Sequence, residues 1–271
     1  MKLCTFSVDG GAPRPGRVEG KRVLGLAADS LIAVLAAVDE AQVDGEFALD
    51  EVRVHAPIPT PPSVRDFFAF EQHVATARAN RGSTVPPEWY EIPAFYFSNP
   101  AAIFGPDDPI AYPRSSEQLD YELEVAAVIG KDGRVAGFTV MNDWSARDLQ
   151  LHEVRIGLGP AKGKDFATSL GPVLVTRDEL DGSEAEMVAR VNGEERSRGN
   201  LRDLYYSWDA IVERASLNTE LRPGDVIGSG TVGTGCILEH GDGRWLQVGD
   251  VVELEVEGIG VLRNTVAPPR A

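Results

Sequence analysis

Short strand patterns separated by turn signals recur through most of this 271-residue chain, and they limit the folds that it can adopt. An Asn-Gly pair in VNGEE predicts a tight hairpin, and Gly-Asp turns precede strand patterns in RPGDVIGSG and QVGDVVELEVEG. Helical patterns are fewer, chiefly FEQHVATARANR, SARDLQLHEVRI and LYYSWDAIVERASL. Because so few helices cannot cover a parallel sheet on both faces, we expect an α+β, mainly β fold. A largely antiparallel β-sandwich or roll with a few flanking helices fits best.

The chain divides into two parts at a proline-rich stretch. Residues 1–60 contain a starting strand, a hairpin pattern in RVEGKRVLGL and a helical pattern in LIAVLAAVDEAQ, which together predict a small N-terminal α+β module. The stretch APIPTPPSV predicts a linker, because proline favours extended backbone and blocks helix formation. We therefore place the main domain at residues 64–271.

The formal net charge of -16 argues against nucleic acid and anionic membrane surfaces as partners, whereas metal cations are favoured. An anionic substrate would need local Arg or Lys side chains. The chain starts without an apolar signal-peptide core and its apolar runs are too short to span a bilayer, so we expect a cytoplasmic protein. Cys4 and Cys236 form no CxxC pair, which predicts free thiols rather than a disulfide framework or a zinc-thiolate site.

The segment LDYELEVAAVIG places three carboxylates, Asp120, Glu122 and Glu124, on one face of a predicted strand, about 7 Å apart along the chain. Such alternation is also typical of a solvated strand face, and VVELEVEGIG contains a second example. The first run continues into VAAVIG, which is apolar on both faces, so its carboxylates lead into buried sheet and need a compensating positive charge. A hard cation with oxygen ligands would provide that charge.

Further polar candidates follow in GFTVMNDWSARDLQLHEVRIG. Asp143 lies where a predicted strand ends in a turn, and it suits either metal ligation or a local Asx turn. Arg147 and Gln150 are three residues apart on the predicted helix and share a face, where a guanidinium and an amide could hold an oxyanion. The alternative is an ordinary polar face of an amphipathic helix.

Two glycine-rich stretches and one histidine are ambiguous. GSGTVG fits the dinucleotide pattern GxGxxG, but the following GCILE predicts a strand rather than a helix, and GLGPAKGKD lacks the phosphate-loop spacing. Tight turns or close approach of the backbone to a ligand explain these glycines equally well. His73 could act as a base, although a single histidine is more often structural, and local sequence does not connect it with Glu122.

Taken together, several motifs resemble the fumarylacetoacetate hydrolase family, in order and over residues 64–265. They are RDFFAFEQH, PPEWYEIPAFYFSNP, DYELEVAAVIG, MNDWSARDLQ, GKDFATSLGP, RVNGEERSRGN and SGTVGTGCILE. The resemblance implies a mixed β-sandwich roll, a Mg²⁺ or Ca²⁺ site, with Mn²⁺ as a further option, and a homodimer. The short N-terminal part is similar to the reduced form found in many bacterial members.

Carried over residue by residue, the resemblance implies a role for twelve positions. The metal ligands would be Asp66, Glu122, Glu124 and Asp143, with Asp120 as a neighbour only. His73 would be the general base, oriented by Glu239, while Arg147, Gln150 and Lys164 would stabilise the developing carbanion. Tyr96, Thr231 and Arg81 would bind substrate. The spacing of Arg81 from His73 is one residue short of the family pattern, and Val154 stands where the animal enzyme of the family has a tyrosine.

We therefore expect a metal-dependent hydrolase that cleaves a carbon-carbon bond in a small anionic 1,3-dioxo acid, such as an acylpyruvate or a fumarylacetoacetate-like compound. The alternatives are a decarboxylase, isomerase or dehydratase that acts on a 2-oxo acid through the same enolate chemistry, since a fold does not determine the reaction. A non-catalytic protein stabilised by Ca²⁺ is the alternative from another class.

Overall fold

A computed structural model describes residues 1–37 and 41–270 of the chain. Its strands are β1 (Lys2–Val8), β2 (Arg14–Glu19), β3 (Arg22–Leu26), β4 (Val43–Ala48), β5 (Val52–His55), β6 (Val64–Phe67), β7 (Phe95–Ser98), β8 (Ile103–Phe104), β9 (Pro109–Ala111), β10 (Leu119–Asp120), β11 (Leu123–Ile129), β12 (Val135–Asp143), β13 (Ser145–Ala146), β14 (Thr168–Thr176), β15 (Glu186–Val191), β16 (Glu194–Asn200), β17 (Val226–Gly228), β18 (Val251–Val256) and β19 (Gly260–Ala267). Its α-helices are α1 (Leu31–Ala36), α2 (Glu71–Ala79), α3 (Arg147–Val154), α4 (Trp208–Ser216) and α5 (Ile237–His240).

Most strands belong to two sheets. The larger sheet has the order β4-β3-β2-β1-β14-β12-β11-β17-β6-β7, with β5 paired to β1 and β8 paired to β14. The smaller sheet has the order β16-β15-β18-β19-β9, and β10 pairs with β13 separately. Neighbouring strands are antiparallel except for the pairs β6 with β17, β8 with β14 and β9 with β19. The predicted mainly β fold with mixed sheets is therefore confirmed.

The strand β11 lies in the middle of the core and is buried on both faces. Val125 and Ala127 belong to the same buried cluster as Leu254 of the smaller sheet. Ala126 and Val128, which point to the opposite face, share a second cluster with apolar residues of the N-terminal part of the chain. This arrangement agrees with the prediction that VAAVIG continues into buried sheet.

The N-terminal part is built into the larger sheet, because β1 pairs directly with β14 and Leu3 lies opposite Leu174. Ala56 and Ile58, from the proline-rich stretch, are almost completely buried beside Val64. The expected linker is therefore wrong in one respect, since this stretch packs against the sheet. The boundary near residue 60 separates two parts of the sequence that share one sheet and one core.

The predicted helical segments form α2, α3 and α4, and the Asn-Gly pair forms the turn between β15 and β16. In LIAVLAAVDEAQ, the helix spans α1 only, and residues 38–40 lie outside the described part of the chain. Among the residues described, no helix combines the length and apolarity that crossing a membrane would require.

We expect Ile58→Ala to lower the free energy of unfolding by about 2–5 kcal/mol, because it leaves a cavity in the core that joins the two parts of the chain. Denaturant unfolding followed by circular dichroism would measure this loss. A single shifted transition is expected, since both parts share that core. Leu217→Ala, at a 58% exposed position, is the control and should change the value by no more than about 0.5 kcal/mol. Two separate transitions would contradict the shared core.

Candidate active site

Four carboxylates converge where the larger sheet meets a small cavity. Glu124 lies on the same face of β11 as Ala126 and Val128, so the acidic row continues the buried face of that strand. The strand predicted through Asp120 and Glu124 is interrupted between β10 and β11, and Glu122 lies in the break. One oxygen from each of four buried side chains lies within 4.8 Å of the others: Asp66, Glu122, Glu124 and Asp143.

Two glycines, one at the end of β17 and one just after it, allow the backbone to approach this carboxylate cluster. A Cβ atom on Gly228 would lie 2.4 Å from Asp66 Oδ1 and 3.0 Å from Glu124 Oε2, so a side chain there would occupy the cluster. Gly230 has a φ of +81°, and its N–H donates to Glu124 Oε2 at 3.2 Å. The GSGTVG stretch therefore serves close approach of the backbone, one of the two interpretations of its glycines.

The cluster carries more negative charge than its surroundings balance. Burial raises the pKa values of Asp66, Glu124 and Asp143, and neighbouring carboxylates add to the rise. Burial acts in the same direction on Glu122, but Lys164 and Arg147 outweigh it and hold its pKa below the ordinary value. Asp66 Oδ1 and Asp143 Oδ1 are buried and have no hydrogen-bond partner among the described residues. This donor set fits a hard divalent cation with oxygen ligands.

Two basic side chains reach the cluster from the segment after β12. Lys164 Nζ donates to both Glu122 and Asp143, and these carboxylates raise its pKa although burial alone would lower it. Arg147 Nη2 lies 2.8 Å from Glu122 Oε1, and Nη1 donates to Gln150 Oε1 at 3.1 Å. Arg147 is buried, so the Arg147–Gln150 pair faces the site and does not lie on an exposed helix face.

The Asp143 carboxylate is directed into the cluster. Its Oδ2 accepts hydrogen bonds from Lys164 and from the Tyr96 hydroxyl, the latter at 2.6 Å. It does not close a local Asx turn among the contacts of the described residues, and metal ligation is the better of the two sequence interpretations. Thr231 Oγ1 donates to Glu124 Oε1 at 3.3 Å, so Tyr96 and Thr231 both contact a carboxylate of the cluster.

His73 and Glu239 form a second pair beside the carboxylate cluster. Nδ1 of His73, on α2, lies 3.2 Å from Oε2 of Glu239, on α5, and both side chains are at least 95% buried. The strand expected at GCILE is wrong, because residues from Ile237 onward form the short helix α5. The reason is a distant acceptor for the first N–H groups of that helix, which local sequence does not reveal.

That acceptor is Asp120, which the sequence analysis treats as a neighbour only. Its carboxylate accepts from Arg147 Nε at 2.7 Å and from the N–H groups of Ile237 and Leu238 at 2.7 and 3.1 Å. It is completely buried. Asp120 thus ties Arg147 to the helix that carries Glu239. The sequence feature that could have indicated this role is the position of Asp120 on the same predicted strand face as Glu122 and Glu124.

A cavity of about 230 Å³ joins these groups. Ten of the twelve predicted site residues line it, while Asp143 and Glu239 lie behind Tyr96 and His73. The remaining wall is apolar: Phe67, Phe68, Ala77, Ala94, Phe95, Pro160 and Leu238. The cavity is therefore polar at the carboxylate cluster and offers apolar surface to the rest of a bound molecule.

The fold and the site define a class of protein, a two-sheet β-sandwich with a candidate divalent-cation centre beside a histidine–carboxylate pair. Residues 63–267 match the family described as "Fumarylacetoacetate (FAA) hydrolase C-terminal". The chain therefore belongs to the fumarylacetoacetate hydrolase family, as its motifs predicted.

Similar proteins in this family differ in their reactions. An oxaloacetate tautomerase of Bacillus subtilis (strain 168) is 32% identical over 235 residues, which are 81% of this chain and 75% of that protein. A mitochondrial oxaloacetate tautomerase of Bos taurus is 35% identical over 230 residues, 80% of this chain and 70% of that protein. Among solved structures, a fumarylacetoacetate hydrolase from Exiguobacterium antarcticum has a TM-score of 0.82 at 32% identity, with 100% of both chains covered. A 5-carboxymethyl-2-hydroxymuconate delta-isomerase from Mycobacterium smegmatis has a TM-score of 0.78 at 29% identity, covering 99% of this chain and 100% of that one.

We expect Mg²⁺ to stabilise the wild-type protein, by about 2.7 kcal/mol at a concentration one hundred times its Kd. Glu124→Gln should abolish most of this gain without destabilising the metal-free protein, because it removes one of several buried like charges. Thermal melting with and without Mg²⁺ would measure both effects. Glu253→Gln, from the other alternating acidic strand, is the matched control and should keep the full metal effect. An unchanged gain in Glu124→Gln would exclude the cluster as the metal site.

We also expect Asp120→Ala to lower the free energy of unfolding by about 3–5 kcal/mol, because it breaks a buried ion pair and leaves Nε of Arg147 and two backbone N–H groups without their buried acceptor. Chemical denaturation would measure the change. Glu194→Ala removes an exposed ion pair with Arg244 and should cost no more than about 1 kcal/mol. Equal losses in the two variants would show that Asp120 does not have this role.

Proposed function

We propose that the protein is a divalent-cation-dependent hydrolase that cleaves a carbon-carbon bond in a small 1,3-dioxo acid. The observation that carries this proposal is the buried His73–Glu239 pair, which lies beside the same cavity as the four carboxylates. A base and a cation centre that share one small cavity suit the attack of water on a polarised carbonyl.

Asp66, Glu122, Glu124 and Asp143 would hold the cation, and Mg²⁺ is the first choice among Mg²⁺, Ca²⁺ and Mn²⁺ for an all-oxygen donor set. The bound cation would supply Lewis acidity to the dioxo oxygens of the substrate. Gly228 keeps a side chain out of the space between Asp66 and Glu124, and the N–H of Gly230 donates a hydrogen bond to Glu124.

His73 would act as the general base. With Nδ1 facing Glu239, the imidazole is held in the orientation and tautomer that leave the Nε2 lone pair available. Nε2 would take a proton from water while the water oxygen bonds to the carbonyl carbon of the substrate. The carbon-carbon bond then breaks, its electron pair remains on the leaving fragment as an enolate, and the acyl fragment leaves as a carboxylic acid.

The basic side chains would stabilise the enolate before it is protonated. Lys164 remains charged because Glu122 and Asp143 raise its pKa, and Arg147 is held by Asp120 and Glu122. Gln150 accepts from Arg147 through Oε1, which leaves its NH₂ group free to donate. Fixed donors of this kind, aimed at a site of developing negative charge, usually contribute strongly to catalysis.

The cavity favours a small substrate with an apolar acyl group. At about 230 Å³, it is smaller than most ligand pockets, which measure roughly 300–1,000 Å³. Phe68, Ala77 and Leu238 line its wall and suit the acyl group of an acylpyruvate, while Arg81 could meet a further carboxylate. The full-length similarity to the Exiguobacterium hydrolase supports this assignment.

Tautomerisation of a 2-oxo diacid is the second candidate. His73 could remove a proton from carbon in place of water, and the same basic side chains would stabilise the resulting enolate. The names of the Bacillus subtilis and Bos taurus relatives favour this reaction. Water activation has no part in it, so product analysis separates the two candidates.

Turnover should be assayed with Mg²⁺ on acylpyruvates, oxaloacetate and 2-oxo-3-deoxy sugar acids. We expect pyruvate and a carboxylic acid to form in equal amounts from an acylpyruvate, and His73→Ala to reduce kcat by about 10²–10⁴-fold. His152→Ala, on the exposed face of α3, is the matched histidine control and should retain activity. Full activity of His73→Ala would exclude its role as the base, and turnover of oxaloacetate alone would favour tautomerisation.

A further inference from the structure

We propose that His73, Cys236 and Glu239 form a Zn²⁺ site that is separate from the carboxylate cluster, and that Zn²⁺ bound there inhibits the enzyme. The binding site depends only on the three side chains and their surroundings. The inhibition rests on the proposed function, because it requires His73 to be the catalytic base.

The three ligand atoms have nearly the geometry that zinc requires. His73 Nδ1 lies 3.2 Å from Glu239 Oε2, and Cys236 Sγ lies 4.0 Å from that nitrogen and 3.7 Å from that oxygen. With zinc bonds of about 2.0 Å to nitrogen and oxygen and about 2.3 Å to sulfur, tetrahedral ligand atoms lie roughly 3.3–3.6 Å apart. The side chains would therefore move by only a few tenths of an ångström to enclose the ion.

The buried position and the charge of the three groups also point to a cation. The side chain of Glu239 is only 2% exposed, and its buried Oε1 atom has no hydrogen-bond partner among the described residues. Such an atom is costly unless something compensates it. A thiolate, a carboxylate and a neutral imidazole together carry a charge of about -2, which a divalent ion would neutralise.

The thiol of Cys236 is protonated in the absence of a metal, because burial and the nearby charge of Asp120 raise its pKa. Coordination to zinc removes that proton and releases it to solvent. The negative charges that disfavour an isolated thiolate, Asp120, Glu239 and Glu122, also attract a cation. The site is therefore inert as a thiol and receptive to a metal.

Ligand chemistry distinguishes this site from the carboxylate cluster. Sulfur and imidazole nitrogen favour zinc and similar transition metals, whereas an all-oxygen set suits Mg²⁺. Zinc at His73 Nδ1 would replace Glu239 as the partner of that nitrogen and leave the ring proton on Nε2. The imidazole would then have no lone pair with which to accept a proton from water.

The experiment adds Co²⁺, as a spectroscopic substitute for zinc, to the full-length protein saturated with Mg²⁺. We expect a near-ultraviolet sulfur-to-cobalt charge-transfer band that Zn²⁺ abolishes by competition. Cys236→Ser, which keeps the size of the side chain, should lose the band. Cys4→Ala, which removes the equally buried cysteine of β1, should retain it.

Inhibition is measured separately, as the Zn²⁺ concentration that halves Mg²⁺-dependent turnover. We expect Cys236→Ser to raise this concentration by at least roughly tenfold, because even the outer partners of metal ligands contribute that much to affinity. Cys4→Ala should leave it unchanged. Circular dichroism of both variants establishes that they are folded, and Cys236→Ala provides a second variant if serine disturbs the site.

Absence of the band in the wild-type protein, or an equal band in folded Cys236→Ser, would overturn the site. A Cys236-dependent band without inhibition would overturn the inhibitory role and leave the site established. If the band is present but none of the oxo acids is turned over, the proposed function fails while the zinc site stands.

Discussion

The burial of four carboxylates on one face of the larger sheet is the constraint on which the rest of the site depends. Among the residues that the structure describes, only Lys164 and Arg147 form ion pairs with these carboxylates, and Arg147 is shared with Asp120. Excess buried negative charge is unfavourable without a cation, so the cluster is a stability cost that a metal ion would offset. Gly228, at the end of β17, follows from the same constraint, because a side chain there would collide with the carboxylates of Asp66 and Glu124.

The core supplies the rigidity that holds these like charges together. Strand β11 is buried on both faces, and the N-terminal part of the chain covers the side from which the carboxylates project. Asp120 connects this core to the second pair of the site. Its carboxylate binds Arg147 and the first N–H group of α5, and α5 carries Glu239, the partner of His73. His73 and the carboxylate cluster are thus parts of one buried network, and a change at Asp120 would reach both.

Local sequence predicts the strand face and the buried continuation, but not the partners that arrive from elsewhere in the chain. Glu122 and Glu124 follow from alternation and from VAAVIG. Asp66 lies more than fifty residues earlier and reaches them through the parallel pairing of β6 with β17, which periodicity cannot reveal, so only the family resemblance identified it. The short helix α5 was missed for the same reason, because its first N–H groups are satisfied by the distant Asp120.

The same carboxylates, the same histidine and the same basic side chains would serve hydrolysis and tautomerisation, because both reactions pass through an enolate that needs the same stabilisation. The choice between them depends on whether water or a substrate C–H group meets His73. We expect the wall of the cavity to decide between the two reactions, because it limits how deeply a substrate can enter and how much room remains for water. Phe68, Ala77 and Leu238 lie on that wall. Differences in reaction among similar proteins should therefore arise from substitutions on the wall more than from substitutions in the carboxylate cluster.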